Sequence, residues 1–117
     1  MFYQNIPLYI KLVHLLKKEY IIVHNLPKEY KFSLGQDIIN RTWELLDLFM
    51  MAQFTYKAPE HEQKTKIIAN LNLRFEELKL RLRFLSELKF ISLRQVTILN
   101  SQIIEIGKMI GSWCKNV

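Results

Sequence analysis

Lys79 and Arg83 stand four residues apart, and Arg74 and Arg81 seven apart, so on a helix each pair projects from a common face. Cations repeated in this way do the chemistry of contact, not of bond making. They can meet successive phosphates of a polyanion, or they can simply keep an apolar helix solvated. Lys64, Lys66 and Lys89 extend the series along the same segment, and Glu76 and Glu87 border the Lys79–Arg83 strip and offset part of its charge. Residue types that make or break bonds are present without the spacing to do so. His14, His24 and His61 share no metal-ligand spacing with one another or with Cys114, and no ferritin-like Glu-x-x-His pair occurs. The acidic pairs Asp37 with Glu44 and Glu76 with Glu77 each lie beside Arg or Lys and read as solvated ion-pair faces. There is no phosphate-cradling glycine loop, dinucleotide fingerprint or nucleophile elbow. Cys114, lacking a histidine with a reason to lie beside it, reads as a packing residue. We therefore expect neither catalysis, nor a cofactor, nor a metal.

The placement of charge supports a polyanionic partner. Residues 1 to 56 carry six basic and five acidic side chains, whereas residues 57 to 117 carry eleven and six. The second half thus holds almost all of the net charge of +6, which suits nucleic acid or an acidic protein surface and is also compatible with plain solubility. A 117-residue chain is one domain long and can bury roughly two-thirds of its unfolded surface without staples. One cysteine cannot form an internal disulfide. No apolar run approaches the about 20 residues of a membrane span, and Met1 to Pro7 lacks a basic n-region, so the expected location is the cytoplasm.

The basic strips need helices to carry them, and the chain reads as helical throughout. Asn5 with Pro7 marks a helix start, and a stripe of Ile6, Ile10, Val13, Tyr20 and Val23 predicts a first helix to about Asn25, ended by Pro27. Ser33 with Gln36 has the form of a capping box, which places a second helix over about Ser33 to Tyr56. Its seams are Ile38, Leu45 and Phe49 on one side and Ile39, Trp43, Leu46 and Met50 on the other. A third helix, expected from about Pro59 to Phe90, shows an inner seam of Leu71, Phe75, Leu78, Leu82 and Leu85. Its other face carries Leu73, Leu80, Phe84, Leu88 and Ile91. Two seams ask for two partners, and the second is expected to meet another subunit. Ser92 with Gln95 is a further capping box, and Val96, Leu99, Ile103, Ile106, Ile110 and Trp113 continue from it as an unbroken heptad. Gly107 and Gly111, four apart on that helix, allow another helix to come close. Short links between four helices predict an all-α, antiparallel up-down-up-down four-helix bundle spanning residues 1–117 as one domain.

Particular wording in these helices resembles a known family. Leu82-Arg83-Phe84-Leu85-Ser86-Glu87-Leu88-Lys89, Ile104-Glu105-Ile106-Gly107-Lys108-Met109-Ile110-Gly111-Ser112-Trp113, and the earlier Leu34-Gly35-Gln36-Asp37 carry the likeness. They resemble the small four-helix-bundle family that contains the accessory variability determinant (Avd) of diversity-generating retroelements and the proteins encoded in 23S rRNA intervening sequences. The final Gly-Lys-Met-Ile-Gly-Ser-Trp looks more like the retroelement branch. The resemblance implies a homopentameric barrel with a basic exterior. It also implies binding of RNA or DNA with little sequence preference, and association with a reverse transcriptase in mutagenic retrohoming.

Two functions follow from residues and resemblance together. In one, Lys64, Lys66, Arg74, Lys79, Arg81, Arg83 and Lys89 form a phosphate-facing surface of a nucleic-acid-binding accessory protein. Leu73, Leu80, Phe84, Leu88, Gly107 and Gly111 then line the contact between subunits of a homo-oligomer. In the other, the bundle is a protein-interaction scaffold, or an rRNA intervening-sequence protein without a reverse transcriptase partner, and its charge serves solubility.

Overall fold

Four helices, continuous over most of the chain, follow from the way apolar residues are spaced. The computed structural model describes residues 6–55 and 61–116, and among these the chain is helical with no strand. Helix α1 spans Ile6–His24, α2 spans Gln36–Gln53, α3 spans His61–Glu87 and α4 spans Leu93–Lys115. Each packs against two others, α1 on α2, α2 on α3, α3 on α4 and α4 on α1, around a shared core. The expected cap at Asn5, the helix end at Tyr56 and the start at Pro59 lie outside the described residues.

The inner seam of α3 is where sequence and packing agree most closely. Leu71, Phe75, Leu78, Leu82 and Leu85 are all buried. In α4 the heptad supplies Leu99, Ile106, Ile110 and Trp113 to the core, while Val96 and Ile103 are only partly covered. Trp113 packs on Phe49 of α2 with ring centroids 5.6 Å apart, and burial of such side chains supplies roughly 1.5–3 kcal/mol each. Cys114, expected to pack, is exposed, because it follows Trp113 and points off the heptad face. The second capping box forms as read: Gln95 N donates to Ser92 Oγ at 3.1 Å and Ser92 N to Gln95 Oε1 at 3.3 Å. The turn before it passes through Lys89 at φ 62°, a left-handed conformation that ends α3.

Two expectations fail. In α1 the core stripe is Leu8, Leu12, Leu15, Leu16, Ile22 and Val23, whereas Ile6, Ile10 and Tyr20 of the expected stripe are exposed. Periodicity misleads here because the true stripe passes through a carboxylate, Glu19, which is itself 2% exposed. The Ser33 capping box does not form either. Its hydroxyl donates back to the Glu29 carbonyl at 2.6 Å, because the helix has already begun. Tyr30 and Lys31 amides close on the Pro27 carbonyl, one α turn covers Lys28–Tyr30, and a π-helical turn over Lys31–Gly35 leads into α2. Gly35 is required in that turn: a Cβ there would lie 2.6 Å from a Val23 methyl, so a side chain would push α1 away.

Glu19 and Thr42 are the buried polar residues of an otherwise apolar core among the described residues. Thr42 Oγ1 lies 2.8 Å from Glu19 Oε2 and 3.2 Å from the Ile38 carbonyl, while Glu19 Oε1 is buried without a partner. Burial pushes the carboxyl up to about 8, against the opposing hydrogen bond from Thr42. Glu19 is therefore protonated at neutral pH. Thr42 Oγ1 is the donor toward Glu19 Oε2, with the Ile38 carbonyl also within its reach.

Candidate nucleic-acid interface

The basic residues of α3 divide into two flanks with different neighbours. On the flank facing α2, Arg74 Nη1 lies 2.7 Å from Glu77 Oε1, and Arg81 Nε lies 2.6 Å from Asp37 Oδ2. Arg41 of α2 joins both carboxylates at 3.1 Å, and Arg81 Nη1 also donates to the Glu77 carbonyl. Partial burial works to raise the Asp37 carboxyl, but hydrogen bonds and charge from Arg81 and Arg41 outweigh it and hold the group below its ordinary value. The Arg74 hydrogen bond likewise holds Glu77 low. Arg74 and Arg81 thus lie on one face as read from their spacing, but their donors are committed to tying α2 to α3.

The opposite flank faces α4 and is open. Arg83 is exposed and has no acidic partner among the described residues. One turn earlier, Lys79 Nζ reaches Glu76 at 2.6 Å and sits 5.3 Å above the Phe75 ring. Lys79 and Arg83 together rim a cleft of about 370 Å³ between α3 and α4, as the half-covered Val96 and Ile103 already suggest. Leu82 and Leu99 form its floor, and Ser86, Glu87 and Asn100 supply its polar edge. Of the cleft residues on α4, Val96, Leu99 and Ile103 belong to the heptad read from the sequence, whereas Asn100 was not read as part of a site. Asn100 shares the heptad edge of Val96 and Ile103, and that register was the available signal once α4 is paired with α3.

The remaining expected contacts scatter. Lys64 and Lys66 lie in the first turns of α3, Lys66 3.7 Å from Glu62, and Lys89 occupies the α3–α4 turn. Of the expected subunit contacts, Leu73, Leu80 and Phe84 are 53%, 64% and 50% exposed in the single chain, while Leu88 is partly covered. Leu80 also adjoins Lys79 and Arg83, so the open cations border the outward apolar seam. At Gly107 the close approach is made inside the chain: a Cβ would meet the Phe75 ring at 3.4 Å, whereas Gly111 faces open space. A second exposed apolar region, unnoticed from sequence, is a groove of Tyr9, Val13, Tyr20, Trp43 and Met50 between α1 and α2, where Trp43 Nε1 donates to the Tyr20 hydroxyl at 3.1 Å.

Among the described residues no group of three or more His, Cys, Asp or Glu side chains is placed to hold a metal. No helix among them is long and apolar enough to cross a membrane. What the arrangement offers chemically is a cationic lip over a small apolar cleft. Among known protein families, a model described as bAvd-like aligns with residues 8–117. No curated protein and no solved structure matches the chain.

Proposed function

The chain belongs to the bAvd-like family, and on that premise we propose that it is a cytoplasmic, non-catalytic accessory protein that binds nucleic acid and serves a reverse transcriptase. The observation that carries this reading is the flank of α3 facing α4, where Arg83 has no acidic partner among the described residues and Lys79, paired with Glu76, adjoins it at the mouth of the α3–α4 cleft. Phosphates of RNA or DNA meet these cations, with Lys64 and Lys66 in the first turns of the same helix and Lys89 in the turn that follows it as further contacts. Arg74 and Arg81 contribute field at this surface more than direct contact, since Glu77 and Asp37 hold their donors. Binding of this kind has little sequence preference, because phosphate contacts position a strand without reading it.

The assembly belongs to the same reading. The helices run up-down-up-down and antiparallel, and the outward seam of Leu73, Leu80 and Phe84 is covered by further copies in a closed homo-oligomer, a pentamer in keeping with the family resemblance. Monomers seldom expose contiguous apolar patches beyond a few hundred Å². A second reading, a protein-interaction scaffold or an rRNA intervening-sequence bundle, draws on the Tyr9–Tyr20–Trp43 groove, whose mainly apolar lining suits an apolar partner.

The test is salt dependence. Counterion release makes the logarithm of affinity fall linearly with the logarithm of salt concentration. Replacing Lys79 and Arg83 by Ala should weaken binding to RNA or DNA and reduce that slope by roughly one unit for each phosphate no longer neutralised. Filter binding without salt dependence would transfer the case to the scaffold, and so would a double variant that binds as tightly as the unaltered chain.

A further inference from the structure

The α3–α4 cleft is more than a cationic surface. Phosphate contact needs only donors on a ridge, yet behind Lys79 and Arg83 the surface opens into about 370 Å³ of space, within the range of about 300–1,000 Å³ typical of small-ligand sites. Its floor is apolar: Leu82 and Leu99 are buried beneath it, and Val96 and Ile103 form its half-covered walls. Besides the two cations, the polar groups around it are Ser86, Glu87 and Asn100. The side-chain amide of Asn100 has no hydrogen-bond partner among the described residues, so it can both donate and accept, and the Glu87 carboxylate is likewise unengaged. Ser86 donates its proton to the Leu82 carbonyl at 3.0 Å and presents only lone pairs. Cations outside, an apolar slot inside and an unused amide at its edge match the three parts of a nucleotide: phosphate, flat base face and hydrogen-bonding base edge.

We infer that the α3–α4 cleft receives an unstacked nucleobase, held by Asn100 at its edge while Lys79 and Arg83 take the flanking phosphates, so that the protein engages single-stranded nucleic acid. This rests on the proposed nucleic-acid function and adds to it a base site and a strandedness. A duplex keeps its bases stacked and can meet only the lip. A single strand can turn a base inward, and apolar walls tolerate any base, in keeping with the weak sequence preference proposed above. Asn100 can pair with purines or pyrimidines by rotating its amide, and Glu87 can accept a ring or exocyclic N–H.

The experiment compares strands of equal charge on the unaltered protein. Fluorescence anisotropy is measured with a labelled oligothymidylate of about 15 nucleotides, near the upper site sizes of single-strand binders, and with an abasic strand of the same length. Binding of the base-bearing strand about tenfold tighter is expected, the lower range of what one stacked or inserted base contributes. Asn100→Phe, a change at an exposed position that fills the slot and leaves both cations, should bring the two strands to within about twofold of each other. Equal affinities of the unaltered protein for both strands overturn the base site but leave phosphate binding standing. A preference that survives Asn100→Phe also overturns it, by placing base contact elsewhere. Failure to bind either strand removes the nucleic-acid function itself.

Discussion

The two flanks of α3 carry the same residue types at comparable spacings and do different work. Arg74 and Arg81 look across to α2, where Asp37 and Arg41 complete a five-membered network with Glu77. Lys79 and Arg83 look across to α4, which presents Val96, Asn100 and Ile103 and no carboxylate to that cleft. A basic strip on one helix is thus fastener or open surface according to what the next helix holds opposite it. The charge of an isolated helix says nothing of which.

The contrast is sharpest where both flanks meet the core between them. Leu78→Ala on the buried seam should cost about 2–5 kcal/mol, and Leu80→Ala on the outward seam of the same helix should cost far less in chain stability. Urea midpoints test this, and equal destabilisation by the two would mean that α3 is rotated from the orientation described. Leu80→Ala should instead loosen the proposed assembly, read as a drop in mass by light scattering.

Acid–base titration separates the carboxylates in the same manner. Glu19 has a folded value near 8, above its ordinary 4.5, so between those limits the folded chain holds the extra proton. Stability from this group is full below about pH 4.5 and is lost as the pH rises to about 8, by an amount on the order of a few kcal/mol. Glu19→Gln should remove the slope over that window. Asp37 and Glu77 are held low, so their contribution has the opposite sign, present at neutral pH and lost as the medium becomes strongly acidic. Urea midpoints across the pH range should thus fall toward both ends, and a profile flat from pH 5 to 8 would deny the buried carboxylate.

A crossed pair of single substitutions tests the flanks directly. Arg81→Ala should lower stability by about 1 kcal/mol, since it leaves a partly buried Asp37 with one partner fewer, and should change nucleic-acid affinity little. Arg83→Ala should do the reverse, leaving the urea midpoint within about 0.5 kcal/mol and weakening binding. Identical behaviour of the two would erase the distinction. The smallest effect is expected from Asp37→Asn, which releases Arg81 on the closed flank. The salt slope should steepen by no more than about one unit, a single added phosphate contact.

What the chain determined by itself was local. The inner seam of α3, the Ser92–Gln95 cap and the heptad of α4 were legible because apolar periodicity and capping depend on residues three to seven apart. Pro27 and the short α3–α4 turn were legible for the same reason. The family likeness was legible too, in wording that the match over residues 8–117 supports. Tertiary structure decided the rest. The burial of Glu19 chose the core face of α1, because a neutral carboxyl paired with Thr42, 23 positions away, can enter a core from which sequence reading excludes a charge. Contact between Gly35 and Val23 helped place the π turn that supersedes the Ser33 cap. Asp37, 44 positions from Arg81, made one basic flank structural, while Arg83 on the other has no acidic partner among the described residues. Coulomb and hydrogen-bond partners act over a few ångströms in space and at any distance in sequence, so only the packing of whole helices could say which cations remain available.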